Sequence, residues 1–475
     1  MKRIALGIAS LAFALNAGAQ NTTVGNPTVV VNGTKIQLQF PISVTVDVGG
    51  TNATIVNGGS GTTGSGATSG TGSTFTGSAN GTDTGTSGSS SGSIDTGSGS
   101  TGSIGAITGI SPIAMITGVN GALNGFQPVA ISDLYKDVSN EGVDAYNTEF
   151  MNVYGGNHLN ADFTIPYNVV NGATKVNFSS VEVSDESDVM PVPINTSTTV
   201  ENGIQGCKAD GADHHAIILD SATGFDYEVY QATYCSGKWS AYSITLWDLT
   251  KQQQRPVGWT SSDAAGLPVF PLLVRYDEVA AGSINHALRV TMNHTKNGPK
   301  GSIFVPPATH GAGDVWGTAA YMGMRLRLKP SYDISGFSAA NQTILKAMKK
   351  YGMIVADNGQ SGFFQGTTDS RWNYDDLAKL RSIPLNAFEI VQMGTQATAD
   401  TAPKGAVPAV SSFTAAKSGS STVLMWNTTG DSYNYIQEVG PVRGSSITVP
   451  YVSGATYTLV SSNQYGRTTK TVKVQ

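Results

Sequence analysis

Catalytic chemistry is most plausible in the block 273–279, Leu-Val-Arg-Tyr-Asp-Glu-Val. Read as a strand over 272–279, its period-two alternation puts Arg275 and Asp277 on one face and Tyr276 and Glu278 on the other. If that face lines a groove, the guanidinium beside Asp277 would lower its pKa and suit it to act as nucleophile or base. A second carboxyl across the groove would then be the acid. Asp220 and Glu228, from the preceding hairpin, are the candidate partners. The pattern fits equally an Arg–Asp ion pair on a solvated sheet face. In His286-Ala287-Leu288-Arg289 the same alternation separates His286 from Arg289. Arg289 with Arg275 could hold the carboxylate of a uronic acid, with His286, His310 or a tyrosine as the proton-abstracting base of a lyase.

Other chemistries find less support. His214 and His215 are adjacent, so on a strand they point to opposite faces and cannot chelate one ion together without distortion. Neither H-E-x-x-H nor H-x-H occurs, and a site from His286, His310 and one of the pair is not spelled out, so no metal and no cofactor is expected. The folded part has no G-x-S-x-G elbow, no P-loop and no dinucleotide fingerprint. Five tryptophans fall between 239 and 372. Trp259 and Trp316, flanked by polar residues and glycine, are the best candidates for exposed platforms that stack on sugar rings.

The elements that must position these groups read mostly as strands: 175–178, 216–219, 227–230, 244–248, 272–279, 287–292 and 324–328. Two helices follow. One is capped by Ser338, carries Ile344, Leu345, Met348 and Tyr351 on one face, and stops at Gly352. The other spans about 374–381, ahead of Pro384. Strands with helices confined to one end predict a mainly β fold: a central β-sandwich or jelly-roll-like domain with two appended helices.

Around this body, composition marks the other segments of the 475-residue chain. Residues 1–19 carry Lys2 and Arg3, an apolar stretch and Ala17-Gly18-Ala19, the three parts of a secretory signal peptide in order. Residues 20–57 read as a short β-rich segment with a hairpin at Asn32-Gly33. Over 58–105, 40 of 48 residues are Gly, Ser or Thr, too polar to offset ordering entropy, so 58–125 is expected to be a flexible linker. The globular body is placed at 126–395, a linker at 396–408 and a β unit at 409–475. Export places Cys207 and Cys235 where a disulfide can persist. With 28 basic and 33 acidic residues, net charge −5, a nucleic-acid partner is not expected. No run after the leader is long and apolar enough to cross a bilayer.

Two resemblances add to this reading. Residues 255–268 (RPVGWTSSDAAGLP), 273–279 (LVRYDEV) and 286–289 (HALR), with 185–188 and 351–359, resemble a group of secreted bacterial proteins over roughly 126–391. That group implies secretion and a domain boundary, and brings no catalytic residue with it. The C-terminal segments 422–426 (TVLMW) and 457–466 (YTLVSSNQYG) resemble bacterial immunoglobulin-like modules, which implies an Ig-like β-sandwich lacking the inter-sheet disulfide. The functional expectation is a secreted modular protein (extracellular or periplasmic) that acts on or binds an extracellular or cell-wall glycan, as a glycoside hydrolase or polysaccharide lyase if it is an enzyme. The alternative is a non-catalytic adhesin or cell-envelope surface protein.

Overall fold

A computed structural model describes residues 131–475 apart from 254, together with the backbone of five strands between Asn21 and Asn57. The expected signal peptide and the linker over 58–125 lie outside the described residues. Contacts divide the chain into two compact units, Met1–Asp95 and Thr96–Gln475. In the first, Thr28–Asn32 pairs antiparallel with Lys35–Gln39, the hairpin expected around Asn32-Gly33. Asn21–Val24, Ile42–Asp47 and Asn52–Asn57 make a three-stranded sheet.

The protein is mainly β, 37% strand and 13% helix, with several sheets and few helices. Two sheets position the polar centre of the second unit. A four-stranded sheet runs in the order Ser243–Asp248, Phe225–Tyr230, Ala216–Asp220, Tyr167–Val170. A six-stranded sheet runs Phe388–Ile390, Arg325–Leu328, Met353–Asn358, Leu288–Met292, Phe363–Thr367, Asn160–Ile165. Both are mixed. Leu288–Met292 lies parallel to Met353–Asn358, and the helix Ala339–Lys350 is part of the crossover that such a pair requires.

The four-stranded sheet is covered on both faces, so its strands are buried throughout rather than alternately. Ile218, Tyr227, Val229 and Leu246 join one core with Tyr433, Tyr435 and Val460 of the C-terminal strands. Ile217, Leu219 and Trp247 join the large core that contains the six-stranded sheet. The C-terminal strands form two sheets, Ala409–Ser418, Ser421–Thr429, Ser446–Pro450 and Gly440–Val442, Tyr433–Ile436, Thr456–Asn463, Gly466–Lys473. Phe413, Leu424 and Trp426 of the first share a core with Ile436 and Leu459 of the second. Polar ties join these strands to the body. The Tyr433 hydroxyl donates to Asp188 (2.9 Å), which also pairs with buried Arg255 (2.6 Å), and Arg443 grips Asp248 with two bonds.

The first expected helix forms at Ala339–Lys350, with Ser338 Oγ accepting the Asn341 amide as N-cap and Ile344, Leu345 and Met348 buried, whereas the second is a single α turn, Tyr374–Leu377, that continues as the 3₁₀ stretch Ala378–Ser382. Gly352 takes φ +72°, and a Cβ there would stand 2.8 Å from the Leu326 carbonyl, so only glycine ends the first helix without strain. The strand expected over 272–279 does not form. Phe270–Leu272 is a 3₁₀ turn, Val274 makes one parallel bridge to Gly366, and Tyr276–Ala280 is a short helix. Acidic Asp277 and Glu278 occupy that helix's first turn, where the N-terminal partial charge favours them, and Gly282 at φ +81° follows it. Five alternating residues are too few to separate the two periodicities. The strand expected at 175–178 lies three residues later, at Phe178–Val181.

Candidate functional site

A cluster of charged groups joins the two large sheets at one end. His214 takes φ +51°, a left-handed conformation next to the strand Ala216–Asp220. The two imidazoles go separate ways, although neither residue lies on a strand. His214 meets the Gly203 carbonyl and Asp210, while His215 turns inward. His215 Nδ1 lies 2.6 Å from Glu201 Oε2, and its Nε2 2.9 Å from the Ser262 carbonyl. Both partners accept, so both nitrogens donate and the ring is an imidazolium. Burial opposes that charge, but the Glu201 carboxylate outweighs it and holds His215 up at about 9. Burial likewise opposes ionised Glu201, and His215 reverses it to a net downward shift.

On the six-stranded side, Arg289 is buried and donates Nε and Nη2 to the two oxygens of Asp263, at 2.7 and 2.8 Å. Nη2 also reaches Asp357 at 3.0 Å. Asp357 sits opposite Thr291 on the neighbouring strand, its side chain 25% exposed. Burial and then the Asp263 charge push it up to about 7, only partly offset by Arg289. At the mouth, half-buried Tyr230 donates to the exposed carboxyl of Asp213 (3.1 Å), and its ring lies 5.1 Å from the His215 ring. Tyr230 feels both Asp213 and Asp357, and burial with the first of these raises its pKa. Among the described residues, Arg289 Nη1 and Ser262 Oγ are buried here without a hydrogen-bond partner.

Most of the residues singled out from the sequence lie elsewhere. Asp277, 41% exposed, pairs with Arg371 at 2.8 Å and not with Arg275. Arg275 is buried against the Phe270 and Leu273 carbonyls and pairs with Glu278 at 2.5 Å. His286 Nε2 meets the same Glu278 at 3.1 Å, and burial notwithstanding, Arg275 and His286 hold that carboxyl down at about 2. The strand model misassigned these pairs because a helix turn brings positions three apart together, Arg275 with Glu278, where a strand would align 275 with 277. Asp220 accepts the Gly172 and Ala222 amides and closes a turn.

Glu228 is fully buried, accepting the Val269 and Phe270 amides (both 2.8 Å) and Trp247 Nε1 (3.2 Å). Asp226, its neighbour on the same face of the strand, has no hydrogen-bond partner at either carboxyl oxygen. Burial and the Glu228 charge push Asp226 well above the ordinary carboxyl range, and burial lifts Glu228 to about 7. His310 is held by the Ala264 carbonyl at 2.6 Å. Trp259 is half-buried at the seam with the C-terminal strands, with the guanidiniums of Arg467 and Arg255 over its ring at 4.6 and 5.9 Å. Trp316 is 65% exposed, as a platform requires. Cys207 and Cys235 are bonded, with Cα atoms 4.8 Å apart.

Of the sequence candidates, then, only Arg289 belongs to the cluster, together with His215 of the histidine pair. Sequence reasoning passed over Glu201, Asp213, Tyr230, Asp263 and Asp357. Asp213 and His215 stand only two apart in sequence, but the left-handed His214 between them breaks the alternation an extended segment would give, so spacing alone did not signal the pair. No family model, curated protein or solved structure matches this chain.

Proposed function

We propose that the chain is a secreted modular protein whose central body acts on an extracellular polysaccharide at the Asp213–Asp357 mouth. The C-terminal pair of sheets, read as an Ig-like β-sandwich, serves as spacer or tether. The observation that carries this reading is the mouth itself. Asp357, pushed up to about 7, can deliver a proton near neutrality, and a second carboxyl, Asp213, stands exposed beside the Tyr230 hydroxyl. Glycosidic cleavage requires an acid and a base or nucleophile of this type. Secretion is supported by the leader-like first nineteen residues and accords with the disulfide.

The adhesin reading has an observation of its own. A groove of about 540 Å³ is lined by Phe178, Tyr234 and Trp239 with Asn177, Asn195 and Lys238, aromatic faces and polar groups suited to holding a sugar without cleaving it. The test is product release from a panel of neutral and acidic polysaccharides, read as new reducing ends or unsaturated termini. Cleavage that falls at least about 100-fold in Asp357→Asn supports the enzyme, since losing a general acid typically costs that much. Retention without cleavage, weakened by Tyr234→Ala, selects the adhesin. Neither cleavage nor retention across the panel refutes both.

A further inference from the structure

The mouth gathers side chains of the kinds that ligate metal ions. Four carboxyl groups, Glu201, Asp213, Asp263 and Asp357, face one another there, and the cations that face them are Arg289 and His215. Arg289 is already committed to Asp263 and Asp357. Glu201, Asp213 and His215 each offer a ligand atom, all within 4.8 Å of one another. We infer that these three residues bind a divalent first-row transition cation of the zinc or manganese type.

Three arguments support that cation. First, His215 Nε2 donates to the Ser262 carbonyl, which fixes the ring so that its other nitrogen, Nδ1, faces Glu201. A second hydrogen bond of this kind is what orients a metal-bound imidazole and selects its tautomer. Binding exchanges the Nδ1 proton for the ion: the N–H bond breaks, the proton leaves to solvent, and the freed lone pair and the Glu201 oxygen both face the metal. The local charge rises by one unit in the exchange.

Second, the geometry is within reach. Ligand atoms on a tetrahedral ion with bonds of about 2.0–2.1 Å stand roughly 3.3 Å apart. The 2.6 Å contact between His215 and Glu201 must open by under about 1 Å, while Asp213, exposed and on a loop, closes in. Third, the donor set selects the class. An imidazole nitrogen with two carboxyls suits zinc or manganese, whereas calcium and magnesium prefer oxygen alone. Three protein ligands beside a solvent-open mouth leave a coordination position for water or substrate, the pattern of a catalytic rather than a structural site.

The inference stands on the cluster and not on the glycan reading, and its test needs no substrate. Tag-free full-length protein, stripped with chelator, is dialysed against micromolar Zn²⁺ or Mn²⁺ and its bound metal counted. Co²⁺ loading adds a visible absorption spectrum that reports the coordination of the bound ion. One equivalent should bind, and Asp213→Asn, an exposed change that leaves the core intact, should weaken it at least about tenfold, the smaller end of what even an outer partner of a metal ligand costs. His215→Ala should abolish the Co²⁺ spectrum. Less than a tenth of an equivalent bound by wild type, or full binding retained by Asp213→Asn, overturns the assignment. A failed polysaccharide panel with metal bound would refute only the glycan reading.

Discussion

The buried pair Asp226 and Glu228 makes the sharpest physical prediction. Alternation along Phe225–Tyr230 sets the pair on one face, and register places Asp226 opposite Leu219 and Trp247, and Glu228 opposite Ile217 and Thr245. Leu219, Trp247 and Ile217 belong to the large core. Glu228 has three N–H donors to support its charge. Asp226 has no N–H or O–H donor to either oxygen, and burial beside the Glu228 charge makes it keep its proton. Both folded pKa values lie above the unfolded ones. Hence the stabilisation is complete below the ordinary carboxyl range and is lost as pH rises.

The loss is about 1.4 kcal/mol per pH unit for each proton the folded chain holds and the unfolded chain has shed. For Glu228, raised from 4.5 to about 7, it sums to roughly 3 kcal/mol across that window. Asp226→Asn keeps the shape of the side chain and has nothing to titrate. Measured by urea unfolding of the full chain with tryptophan fluorescence, wild type should therefore lose ground to the variant by about 1.4 kcal/mol per pH unit. Between pH 5 and pH 7 that is roughly 3 kcal/mol. Taking the difference cancels other groups with the same sign, His215 among them. Curves that stay parallel to within about 0.5 kcal/mol would show that Asp226 is not protonated in the folded state, and the argument would fail.

Two further outcomes are expected. Replacing both Cys207 and Cys235 by serine opens a bridge across 28 residues and should cost about 3–4 kcal/mol in the same unfolding assay; an unchanged urea midpoint would contradict the bond's role. Asp277→Asn removes one arm of an exposed pair whose Arg371 still holds Asp369, so stability should change by no more than about 1 kcal/mol and polysaccharide cleavage not at all; a loss of cleavage would return Asp277 to the chemistry.

Local pattern sufficed for what is local. The strands at 216–220, 225–230, 243–248 and 288–292 follow from runs of β-branched and aromatic residues. The helix at 339–350 follows from Ser338, its apolar stripe and Gly352. Two cysteines in the whole chain left only one possible intramolecular bridge. Tertiary structure decided everything that depends on partners far away in sequence. Arg289 finds Asp263 26 residues before it and Asp357 68 after it, and Tyr433 finds Asp188 across 245. Nothing in the spacing of single residues encodes such distances. The misreading at 275–277 has the same origin. Alternation over five residues fits strand and helix alike, and the choice fell to the Phe270 and Leu273 carbonyls, Glu278 and the bridge to Gly366. Whether a charged residue meets solvent or another charge depends on which sheets pack together, and period-two patterning is silent on that when a sheet is buried on both faces.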